Sequence, residues 1–220
     1  MKRLEAVRRA QEITDAVFAE IRRFVRPGLT EKQVADKIRR LIVKRGGDSK
    51  MAFTPLVCSG KRTALFHGPT SRKKIQPDDI VYIDMGARYR GYCADLTRTF
   101  FLGKPSPKLQ KIYAAVLAAQ KKQISLVRAG ASCAAIDQKG RELLKKHNLA
   151  KYFTHSTGHG VGRKIHQRPR ISGKSKEKLR AGQVITIEPG IYIKGLGGVR
   201  IEDMLVVTPD GCENLSKSAK

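Results

Sequence analysis

The sequence predicts an α+β fold made of two copies of one helix–helix–hairpin unit, with helices packed on one face of a largely antiparallel sheet. Three observations carry the prediction. Arg26-Pro27-Gly28-Leu29-Thr30 recurs about a hundred residues later as Arg128-Ala129-Gly130-Ala131-Ser132, each time opening an amphipathic run. Segment 74–86 aligns without a gap with segment 178–190, so that Asp84 matches Glu188. Finally, acids are paired around turns: Asp84 and Asp95 stand equidistant from Tyr89-Arg90, and Glu188 and Glu202 stand equidistant from Gly195. An internal repeat of this length constrains architecture more tightly than local propensity does.

The elements follow in order. Leu4, Val7, Val17, Ile21 and Phe24 recur at helical spacing and mark the first helix. Thr30 is the N-cap of the second, with Gln33 three residues on as in a capping box, and Val34, Ile38, Leu41 and Ile42 line one face. The apolar run ending at Asp84 and the return through Asp95 form the first hairpin. Ser106-Pro107 gives the third helix a cap and an N1 proline, ahead of Ile112, Val116 and Leu117. Ser132 caps the fourth, which carries Ile136, Leu143 and Leu144 and ends near His147. The second hairpin contains Glu188 and Glu202, three residues longer than the first. The halves, about 1–104 and 105–220, depend on each other for a core, so residues 1–220 are expected to form one domain. The sheet face opposite the helices is left to hold a site at the pseudo-twofold axis.

In a hairpin, directly opposed side chains lie about 5 Å apart at Cβ, and like charges there are destabilising. A chain that opposes acids twice needs cations between them. The histidines extend the pattern. His155 precedes Ser156-Thr157-Gly158-His159-Gly160-Val161-Gly162, where glycines let the backbone around His159 approach closely, as suits a ligand. His67, in His67-Gly68-Pro69, and His166, in His166-Gln167-Arg168-Pro169-Arg170, each precede a proline in a loop upstream of an acid-bearing strand.

Composition narrows the setting. No apolar run reaches the roughly 20 residues that span a bilayer. The first residues are charged and lack the apolar stretch of a signal peptide. Cys58, Cys93, Cys133 and Cys212 follow no framework spacing and read as free thiols of a cytoplasmic protein. Forty-five Lys and Arg against 19 Asp and Glu give a net charge of +26. That field would attract nucleic acid, ribosomes or acidic partners, although the charge is spread out and no nucleic-acid motif accompanies it.

On these residues the chain resembles the catalytic domain of the Xaa-Pro peptidase and methionine aminopeptidase family, the pita-bread fold of dinuclear metallopeptidases. By motif the match runs from about residue 51 to 208. The resemblance implies Asp84, Asp95, His159, Glu188 and Glu202 as ligands of two divalent ions. An oxygen-rich set of this kind favours Mn²⁺, with Co²⁺, Fe²⁺ or Zn²⁺ as alternatives. It also implies a water made nucleophilic between the ions, hydrogen bonds from His67 and His166 to substrate and oxyanion, and a proton shuttle at Glu188.

Details point to the Xaa-Pro branch, whose substrates are proline-containing peptides. Asp95-Leu96-Thr97-Arg98-Thr99-Phe100 and Gly198-Val199-Arg200-Ile201-Glu202-Asp203 resemble prolidases and aminopeptidase P. Methionine aminopeptidases typically lack an arginine two residues before the last glutamate. Arg200 is expected to hydrogen-bond and orient Asp84, Tyr192 fits the same branch, and Arg170 resembles an arginine that binds a dipeptide's free carboxylate. Xaa-Pro peptidases usually carry an additional N-terminal domain that shapes the pocket and the dimer, whereas this sequence opens on the catalytic domain's helices. Two alternatives therefore stand beside the Xaa-Pro reading. One is methionine aminopeptidase-like removal of N-terminal residues, and the other is a basic nucleic-acid- or ribosome-associated binding protein.

Overall fold

The computed structural model describes residues 3–220. The first half runs α1 (Arg3–Phe24), α2 (Glu31–Lys44), β1 (Leu56–Ser59), β2 (Ile80–Met85), β3 (Arg88–Tyr89), β4 (Tyr92–Cys93) and β5 (Leu96–Phe101). The second runs α3 (Pro107–Ile124), α4 (Cys133–Lys146), β6 (Gly158–Gly160), β7 (Gln167–Ile171), β8 (Val184–Ile187), β9 (Gly190–Ile193), β10 (Gly197–Arg200), β11 (Asp203–Val207) and β12 (Cys212–Asn214).

The caps form as their sequences dictate. Thr30 Oγ1 accepts from Gln33 N at 3.1 Å, and Gln33 Oε1 accepts from Thr30 N at 2.7 Å. Ser106 and Ser132 cap α3 and α4 through the amides of Leu109 and Ala135. The repeat extends to individual backbone hydrogen bonds. Gly28 N donates to Ile75 O and Ile75 N to Leu29 O, while Gly130 N donates to Leu179 O and Leu179 N to Ala131 O. Lone bridges Thr30–Lys74 and Ser132–Lys178 complete the correspondence.

Strands order as β1-β2-β5 in one sheet and β12-β11-β8-β6-β7 in the other, with β3–β4 and β9–β10 as two-stranded ribbons. Every strand pair is antiparallel. Val17, Ile21, Val34 and Ile38 of α1 and α2 pack with Val81 and Ile83 of β2. Ile112, Val116 and Leu144 of α3 and α4 pack with Ile191, Val199 and Ile201, and with Ile80 from the first half. The cores therefore interlock. The halves also meet along a polar seam, where Glu202 N donates to Thr97 O, and Thr99 Oγ1 donates to Arg200 O and accepts from Arg200 N. No helix among the described residues is long and apolar enough to cross a membrane.

Candidate metal centre and substrate cavity

The two acid pairs differ in register. Ile187 pairs with Asp203 and Gly190 with Arg200, so Glu188 and Glu202 stand directly opposite each other around a turn at Gly195. The first pair departs from the expectation. Asp84 pairs with Thr97 and Met85 with Leu96, which leaves Asp95 two positions along, on the diagonal from Asp84. The turn lies at Arg90-Gly91, not Tyr89-Arg90, with φ of 50° and 81°, the left-handed pair that a two-residue hairpin turn requires. Asp48 fixes it there, accepting from Arg90 N at 3.0 Å and Gly91 N at 2.9 Å. Diagonal neighbours share a sheet face, so Asp84 and Asp95 still reach one cluster.

His159 reaches the cluster from β6, which is threaded between β7 and β8. A Cβ on Gly158 would collide with the Thr186 carbonyl, and one on Gly160 with that of Arg168. Glycine on both sides of His159 is therefore a steric requirement of this close approach. His159 Nδ1 lies 3.1 Å from Gly160 O, which orients the ring with Nε2 toward the acids. Burial opposes protonation of the ring, but the hydrogen bond and charge of Glu188 outweigh it and raise the His159 pKa, so in the metal-free protein Nε2 donates to the acids. Nε2 is 3.2 Å from Glu188 Oε1 and 3.6 Å from Asp95 Oδ2. Ligand-type atoms of Asp95, His159 and Glu202 all lie within 4.8 Å of one another.

The residues fit a divalent metal centre. Asp84 Oδ1 is buried with no hydrogen-bond partner, while its Oδ2 accepts from Arg200. Burial, then repulsion from the neighbouring carboxylates, pushes Asp95 and Glu202 well above the usual carboxylate range. Burial raises Asp84 too, against the pull of Arg200. Burial also opposes ionisation of Glu188, but the hydrogen bond and charge of His159 outweigh it and hold Glu188 at about 2. Cations would relieve the repulsion among these carboxylates.

A sign follows for pH. Asp95 and Glu202 have folded values above their unfolded ones, so their contribution to stability is full below the ordinary carboxylate range near 4 and is lost as pH rises through the raised values. Metal-stripped protein is thus expected to take up divalent cations with release of protons. Glu202→Gln should flatten the loss of stability above pH 4. Thermal unfolding across pH, with and without Mn²⁺, checks both; an unchanged profile in Glu202→Gln would contradict the assignment of strain to this cluster.

The cluster forms the floor of a cavity of about 830 Å³. His67, His166, Arg170 and Arg200 line it along with the five ligand candidates, and no residue of α1–α4 does. His67 lies outside regular structure, as expected. His166 also lies outside regular structure, in the bend just before β7, whereas Pro169 of the same motif falls within that edge strand, where proline is tolerated. The His166 ring meets that of His159 edge-on at 4.4 Å, and burial followed by the charge of His159 lowers its pKa. Tyr192 sits behind the wall, accepting from Arg200 Nη1 at 3.0 Å and facing His155 Nε2 at 3.1 Å.

Among the wall residues that sequence reasoning left unassigned are His155 and Phe66. His155 has its pKa lowered to about 4, chiefly by burial, and stacks on Phe66 with centroids 4.2 Å apart and planes 9° from parallel. Phe66 also contacts His67 at 3.9 Å. The signal for His155 was its place four residues before His159, inside the same glycine-rich segment. Phe66 carried no signal beyond adjacency to His67.

An internally repeated α+β fold that gathers four carboxylates and an imidazole into one buried cluster defines a candidate metalloprotein. The chain belongs to metallopeptidase family M24, whose family model matches residues 5–209. It is 44% identical over 218 residues to the Xaa-Pro dipeptidase of Pyrococcus furiosus, a match that takes in 99% of this chain and 62% of that protein. Among solved structures, the prolidase from Pyrococcus furiosus superposes with a TM-score of 0.97 at 42% identity, covering 99% of this chain and 64% of that one. The X-Pro aminopeptidase from Thermotoga maritima MSB8 superposes with a TM-score of 0.96 at 36% identity, covering 99% and 61%. The fold is the pita-bread fold, and the chain spans about three-fifths of the length of these relatives.

Proposed function

We propose that the chain carries the catalytic centre of a metal-dependent exopeptidase that hydrolyses Xaa-Pro bonds. The observation that supports it best is the convergence of Asp84, Asp95, His159, Glu188 and Glu202, with Arg200 holding Asp84 from behind. Arg200 and Tyr192 are the features that separated the Xaa-Pro branch from methionine aminopeptidases. The relatives named for Xaa-Pro substrates at 42–44% identity support the same branch.

Four carboxylates and one imidazole would hold two divalent ions, Mn²⁺ first among them, which when bound supply Lewis acidity and an activated water. Glu188, ionised across the neutral range, would take a proton from the attacking water and pass it to the leaving amine. His166, its pKa lowered, stays neutral near pH 7 and donates from its ring N–H to the oxyanion, with His67 as the second donor. Phe53, Phe66 and Ile165 give the cavity an apolar side suited to a proline ring, whose nitrogen has no N–H to satisfy. Arg170 and Arg168 at the mouth suit the free carboxylate of a short peptide. The free thiols suit a reducing compartment such as the cytoplasm.

Metal-stripped protein should be inactive on every peptide and should regain activity with Mn²⁺ or Co²⁺. Assay of an Xaa-Pro dipeptide, a longer Xaa-Pro peptide and a Met-Ala-Ser-type peptide separates the branches. Cleavage of the dipeptide alone means a dipeptidase, and cleavage of the longer Xaa-Pro peptide means an aminopeptidase. Release of methionine alone would overturn the branch, and metal binding without any cleavage would overturn the enzyme.

A further inference from the structure

Each half of the repeat buries a carboxylate that takes no part in the acid cluster and instead ties down a segment of the cavity wall; a third such acid, Asp203, pairs with Arg98 and Lys220 and holds no wall segment. Glu31, at the start of α2, is fully buried and accepts from Ser59 N at 2.9 Å, Ser59 Oγ at 3.0 Å, Ser71 N at 3.0 Å, Ser71 Oγ at 2.7 Å and Arg62 Nε at 3.1 Å. Arg62 in turn donates to Pro69 O. One side chain thus closes the base of the loop between Ser59 and Ser71, which carries Phe66 and His67.

Asp137 does the corresponding work from α4. It is fully buried and accepts from Thr157 N at 3.2 Å, Thr157 Oγ1 at 2.9 Å and Arg141 Nε at 2.7 Å. Arg141 passes the constraint on, donating to Phe153 O at 2.7 Å and His155 O at 2.6 Å. Gln123 of α3 donates to Thr157 Oγ1 at 2.8 Å. Thr157 O then accepts from Glu188 N at 2.7 Å, and His159 lies two residues further along the strand.

We propose that Glu31 and Asp137 are positioning residues that set the two sides of the cavity separately: Glu31 the His67 loop, Asp137 the segment bearing His155 and His159. Burying a carboxylate costs several kcal/mol unless hydrogen bonds compensate, and apolar replacements of such groups are often as stable. What the charge adds is direction, because each acid fixes several donors at once. The repeat supplies an internal comparison. Aligning Thr30 with Ser132 places Cys133 where Glu31 stands and Ala35 where Asp137 stands. The two anchors therefore occupy non-equivalent positions, each located where its own half has a histidine-bearing segment to hold.

The inference concerns the same site as the proposed peptidase, but its first test needs neither metal nor substrate. In NMR spectra of the histidine rings of the metal-free protein, Asp137→Asn should move the His159 resonances and leave those of His67. Glu31→Gln should do the reverse. His155, stacked on Phe66, should respond to both. The same set of shifts in both variants, or none, would overturn the proposal. Should either variant fail to fold, Arg141→Lys and Arg62→Lys carry the same reciprocal expectation. In the loaded protein, Asp137→Asn should weaken Mn²⁺ binding about 10-fold, while Glu31→Gln lowers kcat/KM with Mn²⁺ affinity unchanged. Ile38→Val, which loosens the core at a residue that does not line the cavity, should alter neither; equal losses there would reduce both acids to mere stability. Reciprocal shifts in the two variants, together with no peptidase activity in the wild-type protein, would refute the enzyme and leave the anchoring intact.

Discussion

Glu188→Gln and His159→Ala are each expected to lower kcat toward an Xaa-Pro peptide by at least about 10³-fold, or about 4 kcal/mol of transition-state stabilisation. Lys121→Ala, on the exposed face of α3, should leave it unchanged. Glutamine preserves the shape of Glu188 but removes both its charge and its capacity to take a proton. Alanine at 159 removes the one imidazole that faces Asp95 and Glu188. On the proposed mechanism either change disables the metal centre, which is worth several kcal/mol in reactions of this class. Mn²⁺ titration calorimetry and kcat on the same preparations check the expectation. Normal turnover in either variant would remove the metal-site assignment.

What the sequence revealed was what depends on neighbours along the chain or on the repeat. Thr30 with Gln33, and Ser132, are local caps, and the structure forms them as read. The direct opposition of Glu188 and Glu202 follows from counting around Gly195, because nothing outside that hairpin shifts its turn. The same count failed for Asp84 and Asp95, since Asp48, some forty residues earlier in the chain, captures the amides of Arg90 and Gly91 and moves the turn by one residue. A one-residue shift of the turn moves the pairing by two, which keeps each acid on its face and spares the site. Glu31 reads in sequence as a first-turn acid of a surface helix. Its partners Ser59 and Ser71 lie 28 and 40 residues on, so only the fold exposes it as a buried anchor. Tyr192 was legible as a motif residue, but its distance behind the wall depends on Arg200 lying between it and the acids.

Arg200→Met should cause the largest loss of stability among substitutions at this site. Arg200 is 2% exposed. Its Nη2 donates to Asp84, its Nη1 to Tyr192 Oη at 3.0 Å and Phe66 O at 3.2 Å, and its Nε to Thr97 Oγ1 at 3.0 Å. Methionine fills much of the volume but leaves Asp84 as a buried, uncompensated charge beside three other acids. Breaking a buried pair in this way costs about 3–5 kcal/mol. Arg200→Lys restores the charge without the fork, so it should recover only part of the loss, because one ammonium cannot reach acceptors spread along a guanidinium edge. Two further results separate electrostatics from packing. Arg200→Met with Asp84→Asn should be more stable than Arg200→Met alone, since the orphaned charge is gone. Saturating Mn²⁺ should narrow the gap between Arg200→Met and the wild type, because bound cations take over the neutralisation of Asp84 in the variant. Urea unfolding of the four proteins, stripped and loaded, measures all of these. A loss in Arg200→Met that neither Asp84→Asn nor Mn²⁺ reduces would mean that Arg200 acts through its packing against Phe66 and Tyr82, and the orientation of Asp84 would then need another source.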